Sequence, residues 1–265
     1  MTQLIRKILG EKGARPLKKF SQNFLNDAAT LARECGYAAI GKNDTVLEIG
    51  AGLGALTEFL SKRAKKVIAV EFDRKFCEIL GERFKNSNVE VVQGDVLELK
   101  LPKFNKVVSN IPYHISSQIT FLLFAHEWDV AAICYQKEFA KRMVATPGAR
   151  DYSRLSVMTG YFSECELMET VSKAKFFPAP KVDSAIVRIT PRRMKPYKVA
   201  DEKKFFEVAT LLFQHKKQSV RNALLHSRKA LGLSKEQIRA IKSDLMLRKV
   251  FTLKGEEISE ISEVL

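Results

Sequence analysis

Between Thr45 and Glu71 the chain reads strand, glycine loop, helix, strand, and few folds accept that order. Thr45-Val46-Leu47-Glu48-Ile49 is a short aliphatic run, followed by Gly50-Ala51-Gly52-Leu53-Gly54. Leu56, Phe59 and Leu60 then recur at helical spacing, and Val67-Ile68-Ala69-Val70 is a second strand that ends in Glu71. A βαβ unit of this kind sets two parallel strands side by side and lets a ligand approach the loop between strand and helix. Glycines permit the approach, the helix N-terminus offers unpaired N–H groups, and a carboxylate closing the second strand can accept from both hydroxyls of a ribose. Gly50, Gly52 and Ala55 also satisfy the dinucleotide pattern G-x-G-x-x-A, with Glu71 at the expected distance. On its own the unit therefore leaves a nicotinamide enzyme open.

The alternation continues. Val89-Glu90-Val91-Val92 is a third strand ending at Gln93-Gly94-Asp95, whose carboxylate can take an adenine amino group. Lys106-Val107-Val108-Ser109 is the end of a fourth, and Asn110-Ile111-Pro112-Tyr113 follows it, ahead of a helix entry at His114-Ile115-Ser116-Ser117. An amide, a proline-stiffened bend and an aromatic ring thus meet at the rim where open α/β sheets bind ligands. That set suits one chemistry. The exocyclic amine of a purine is a poor nucleophile because its lone pair is delocalised into the ring. A side-chain carbonyl from Asn110 and a backbone carbonyl from the Ile111-Pro112 bend can accept its hydrogens and draw the nitrogen toward a pyramidal, nucleophilic geometry, while Tyr113 stacks on the extruded base. The alternative is an ordinary strand-to-helix turn with a half-buried tyrosine. Nothing downstream resembles a hydride-transfer site, which disfavours the nicotinamide reading.

Further on, residues 115–124 and 137–144 read as helices and 130–135 as a strand; 155–161 is apolar and fits either type. Residues 164–171 and 184–189 read as a hairpin-like pair of strands in the same sheet, separated by Phe176-Phe177-Pro178-Ala179-Pro180, a rigid loop able to present a ring to a base. Past Pro191-Arg192-Arg193-Met194-Lys195-Pro196 the strand signals vanish, and helices are expected over 201–213, 219–231 and 234–241. This gives a domain of residues 1–190 and a helical one of 191–265. At the other end, a basic arm containing Arg15, Lys18 and Lys19 leads into Phe20-Ser21-Gln22-Asn23-Phe24-Leu25, and Asn26 or Asp27 caps a helix with apolar positions at Leu31, Ala32, Cys35 and Ala39.

The formal net charge of +15 over 265 residues points to a polyanionic partner, nucleic acid before an acidic membrane surface. Lys216, Lys217 and Arg221 head a helical region with a cationic excess, suited to an RNA backbone. No apolar run reaches transmembrane length and no secretory stretch opens the chain, so no membrane partner is expected. Four cysteines, Cys35, Cys77, Cys134 and Cys165, lie far apart with no C-x-x-C spacing, which fits a reducing cytoplasm and argues against a metal centre.

Taken together, these motifs resemble those of the rRNA adenine N6,N6-dimethyltransferases, which modify two adjacent adenosines near the end of small-subunit rRNA. The resemblance runs over essentially the whole length and is carried by Phe20–Leu25, Glu48–Gly54, Val70-Glu71, Gly94-Asp95, Asn110–Tyr113, Phe176–Val182 and the stretch from Phe213 to Leu224, the last most similar to the archaeal and eukaryotic branch. It implies an α/β, Rossmann-like class I methyltransferase fold, with a mostly parallel seven-stranded sheet and an antiparallel last strand, plus a small all-helical C-terminal domain. It implies S-adenosylmethionine as donor, held by Gln22, Asn23, Leu25, Gly50 and Gly52 of the glycine loop, Glu71, Asp95 and Asn110. It implies a target base held by Asn110, Pro112, Tyr113 and Phe177. The implied partner is the rRNA of an immature, pre-30S-like small subunit, met by a monomer in the cytoplasm. Two rivals share the fold: the erythromycin-resistance methylases of large-subunit rRNA and non-catalytic transcription or assembly factors.

Overall fold

The Thr45–Ile49 segment lies inside a seven-stranded sheet. The computed structural model describes residue 10 and residues 23–265; the expectations for Arg15, Lys18, Lys19 and Gln22 fall outside the described residues. In chain order come β1 (Phe24–Leu25), α1 (Ala28–Tyr37), β2 (Thr45–Ile49), α2 (Ala55–Ser61), β3 (Lys66–Glu71), α3 (Arg74–Arg83), β4 (Val89–Gln93) and β5 (Lys106–Asn110). Then follow α4 (Ser116–Phe124), β6 (Val130–Gln136), α5 (Lys137–Val144), α6 (Arg154–Phe162), β7 (Ser163–Val171), β8 (Phe176–Phe177) and β9 (Ser184–Pro191). The sheet runs β4-β3-β2-β5-β6-β9-β7, parallel from β4 to β6, with β9 antiparallel to β6. This is the mostly parallel seven-stranded sheet that the resemblance implies, and the apolar segment at 155–161 is a helix, α6.

Covered on both faces, the central strands are mostly apolar: Val46, Leu47 and Ile49 of β2 and Val67 to Val70 of β3 are all buried, and the polar side chains they also bury include Glu48 and Glu71. Leu31 and Cys35 of α1 and Leu56 and Leu60 of α2 pack with Val46, Val67 and Val108; on another part of the sheet, Leu80 of α3 packs with Ala69 and Phe84. The buried face of α1 is Thr30, Leu31, Glu34 and Cys35. Ala39, expected on that face, lies beyond the helix and is exposed.

The chain divides into two units, Met1–Ala140 with Glu166–Pro191, and Lys141–Cys165 with Arg192–Leu265. The second carries α7 (Glu202–Gln214), α8 (Val220–Leu231), α9 (Lys235–Ala240) and α10 (Gly255–Val264). Its core joins Phe205 and Leu212 of α7, Ala223 and Leu224 of α8, Ile238 of α9 and Ile258 and Ile261 of α10 with Tyr152 and Val157. Burial of those last two side chains is why residues 141–165 go with the helices, whereas the sequence pattern put the whole stretch before 191 in the first domain. No helix among the described residues is long and apolar enough to cross a membrane.

Candidate active site

Strand order reverses between β2 and β5, and at such a switch point the loops leaving neighbouring strands diverge and leave a crevice. The β2–β5 ladder pairs Val46 with Lys106 and Leu47 with Val107; beyond it the Ile49 amide donates to Ser109 Oγ at 2.8 Å. A cavity of 170 Å³ opens there, lined among others by Asn23, Gly50, Glu71, Asp95, Asn110, Tyr113 and Phe176. It lies wholly within the first unit.

On one side the glycine loop turns under the cavity. Gly50 and Gly52 have φ of +76° and +56°, where a Cβ is strained, and a Cβ would be tight at Gly50 and would clash at Gly52. A Cβ on Gly50 would sit 3.3 Å from Pro112 Cδ, and one on Gly52 only 2.9 Å from Phe24 Cε1. Glu71, 6% exposed, is fixed by backbone amides: Gly52 donates to Oε2 at 2.7 Å and Asp73 to Oε1 at 2.9 Å. Burial pushes its carboxyl above the usual range, with the amide bonds pulling the other way. The Phe72 amide adds a third such bond, and the lone pairs left over can accept from a ligand hydroxyl. Asp95 Oδ1 accepts from the Leu97 amide at 3.0 Å, which orients that carboxylate at the cavity wall. Asn23 lines the cavity, whereas Leu25 is buried in the core and does not.

Across from the glycine loop, β5 ends at Asn110 and the chain enters a single 3-10 turn over Tyr113–Ile115, with Pro112 extended just before it. Tyr113 is held from below: its hydroxyl meets Ser184 Oγ at 2.6 Å, and burial pushes its phenol up to about 12. Asn110 Nδ2 donates to Glu34 Oε2 at 3.1 Å. Its carbonyl Oδ1 is buried and has no partner among the described residues. A buried amide oxygen without a partner is an acceptor left unsatisfied, and it belongs to a residue that lines the cavity.

Phe177 is not brought to the cavity; Phe176 is. The two residues form β8, paired with β1 as Phe24↔Phe177 and Leu25↔Phe176, and successive side chains on a strand point to opposite faces. Phe177 packs instead with Phe24 against Leu53, Phe76 and Ile79. Glu34 was missed by reading the sequence, although a glutamate sharing the apolar face of α1 with Leu31 and Cys35 was its visible signal.

In the second unit, Lys216 Nζ donates to the carbonyls of Arg150 and Tyr152, at 2.9 and 3.1 Å, and Arg221 Nη2 to that of Ile241 at 3.3 Å. Both cations therefore stitch the unit together. Lys217 is exposed.

A family model described as ribosomal RNA adenine dimethylase matches residues 14–260. The chain is similar to a Methanosarcina mazei protein named probable ribosomal RNA small subunit methyltransferase A, with 43% identity over 93% of this chain and 92% of the relative. Among solved structures it is similar to a dimethyladenosine transferase from Plasmodium falciparum, with TM-score 0.73, 28% identity, and coverage of 89% of this chain and 94% of the other. It is also similar to the 23S rRNA methyltransferase ErmE, with TM-score 0.68, 30% identity, and coverage of 91% and 99%.

Proposed function

Since the chain belongs to the ribosomal RNA adenine dimethylase family, we propose that it dimethylates N6 of two adjacent adenosines near the 3′ end of small-subunit rRNA, on an immature subunit, as a cytoplasmic monomer. The observation that carries this reading is the unpartnered carbonyl of Asn110, a residue that lines the cavity.

The cavity suits S-adenosylmethionine. Gly50 and Gly52 bring the loop backbone along the cavity at positive φ, and the Glu71 carboxylate is already oriented to accept from ribose hydroxyls. Glu71, Asp95 and the Gly50–Gly52 backbone are the groups that would hold it. When bound, S-adenosylmethionine supplies a methyl group on a sulfonium, a strong electrophile. The chain's own task is then to hold the adenine and make its amine nucleophilic. Asn110 Oδ1 accepts an N6 hydrogen, so the nitrogen lone pair is drawn out of the ring. Tyr113, fixed by Ser184, offers its ring to the base. Proton loss after transfer goes to water or to a carbonyl acceptor, and a second round needs only that the pocket admit a monomethylated amine.

The likeness to ErmE favours one second reading, a large-subunit target; the name of the M. mazei relative favours the small subunit. Incubation with labelled S-adenosylmethionine and immature small or large subunits, followed by mapping of the modified nucleotides, tests the reading. Label on N6 of adjacent small-subunit adenosines supports it, and label on large-subunit rRNA alone contradicts it.

A further inference from the structure

Asn110 can work as an acceptor only if its carbonyl, and not its NH2, faces the substrate. A side-chain amide can turn over about its last bond, so something must choose its orientation. Within the described residues that choice falls to Glu34. It is 0% exposed, comes from a different element, α1, and its Oε2 receives Asn110 Nδ2 at 3.1 Å. Its other oxygen, Oε1, has no partner among the described residues. The Asn110 contact therefore accounts for the one hydrogen bond of a fully buried carboxyl group.

We propose that Glu34 is a positioning residue for methyl transfer, holding the NH2 end of Asn110 so that the carbonyl end faces the substrate amine. The proposal rests on the reading of Asn110 given above. Its logic is that an ionised carboxylate only accepts hydrogen bonds, so it enforces one orientation of the amide. A protonated Glu34 can donate its own O–H to Asn110 Oδ1. The amide then turns its NH2 toward the substrate, where two donors face each other and the amine gains nothing. Glu34 thereby makes the reaction sensitive to its own protonation.

The surroundings keep that protonation within reach of physiological pH. Burial pushes the Glu34 carboxyl up to about 8, with the Asn110 hydrogen bond opposing and the charges of Glu48 on β2 and Glu169 on β7 adding to the rise. Cys35, next to Glu34 on α1, and Cys134 on β6 also face it, but burial raises both thiols, so they stay neutral. Arg63, beyond α2, acts on Cys35, and Arg33 on α1 is paired with Glu169 at 2.9 Å.

The test compares wild type with Glu34→Gln and Glu34→Leu, with Asn110→Ala as reference, in single-turnover methylation of immature small subunits across pH 6–9. Thermal melts confirm that each variant is folded, and the near-isosteric Glu34→Gln covers the case in which Glu34→Leu is not. Wild type should show a rate that rises with pH as Glu34 ionises. Both variants should lose that rise and run about ten- to a hundredfold below the wild-type plateau, with RNA affinity held within about twofold, as expected for a misoriented group. In the free protein, carboxyl-labelled glutamate NMR should show one resonance, absent from Glu34→Gln, that titrates well above the usual range and moves together with the Asn110 side-chain amide. Wild-type rates and pH profiles in both Glu34 variants, with Asn110→Ala inactive, overturn the proposal alone. Full activity in Asn110→Ala overturns the reading of the site and this proposal with it.

Discussion

The hydroxyl of Tyr113 lies 2.6 Å from Oγ of Ser184, a residue wholly out of solvent on β9. One strand therefore sets the ring that leaves another. The phenol, pushed up to about 12 by burial, stays neutral at any working pH. Tyr113→Phe removes only this hydrogen bond and should cost about 0.5–1.5 kcal/mol of stability. Tyr113→Ala removes the ring and should weaken the hold on the target base by ~1–3 kcal/mol. Melting curves and KM for the RNA separate the two effects.

Glu71 presents two oxygens already oriented by the amides of Gly52 and Asp73. Glu71→Ala should weaken donor binding by ~1–3 kcal/mol, read by calorimetry. Because burial raises the Glu71 carboxyl, donor affinity should fall as the solution is acidified through its ionisation, and this dependence should be absent in Glu71→Gln. Unchanged affinity in Glu71→Ala would remove Glu71 from the donor site.

Gly52 sits at φ +56° with Phe24 Cε1 2.9 Å from where a Cβ would be. Gly52→Ala should lose roughly 1–2 kcal/mol from the left-handed backbone alone. It should also displace Phe24 and lower donor affinity, so a urea melt and a donor titration should both respond.

Stability should also report the two buried glutamates. Glu34 and Glu48 are each pushed up to about 8, first by burial. A carboxyl with a raised folded-state pKa contributes stability that is fully present below its unfolded value and is lost as pH rises toward 8. Glu34→Gln should therefore gain on wild type as pH goes from 5 to 9, by on the order of a few kcal/mol. Urea unfolding at each pH measures it; a constant difference would mean that Glu34 ionises normally.

The cations of the second unit divide into two kinds. Lys216 binds two carbonyls, so Lys216→Gln should lower the melting temperature. Lys217 is exposed, and Lys217→Gln should leave stability unchanged and flatten the salt dependence of subunit binding by about one unit of slope. Identical slopes would move the docking surface elsewhere.

What was legible in the sequence was local. The Thr45–Glu71 unit and the Asn110–Tyr113 bend are contiguous, so periodicity and turn chemistry sufficed to find them. What was not legible depended on partners far along the chain. The phase of Phe176 and Phe177 is set by pairing with β1, about 150 residues earlier, and nothing in Phe-Phe-Pro reveals it. Lys216 and Arg221 looked like a charged face because their carbonyl partners lie far along the chain, Arg150 and Tyr152 for Lys216 and Ile241 for Arg221. Glu34 could be placed on the apolar face of α1, but its meaning came only from Asn110, 76 positions away. The final helix, α10, has just Ile258 and Ile261 as buried apolar positions among glutamates, too few to show a pattern.

On the proposed mechanism, the Asn110 carbonyl activates the amine. The most direct test of this is single-turnover methylation of immature small subunits by Asn110→Ala at saturating RNA and donor, with donor and RNA affinities measured alongside. The rate should fall by about a hundredfold or more, as on removal of one preorganised group that acts on developing charge, with RNA affinity close to wild type. A full single-turnover rate in that variant would contradict it.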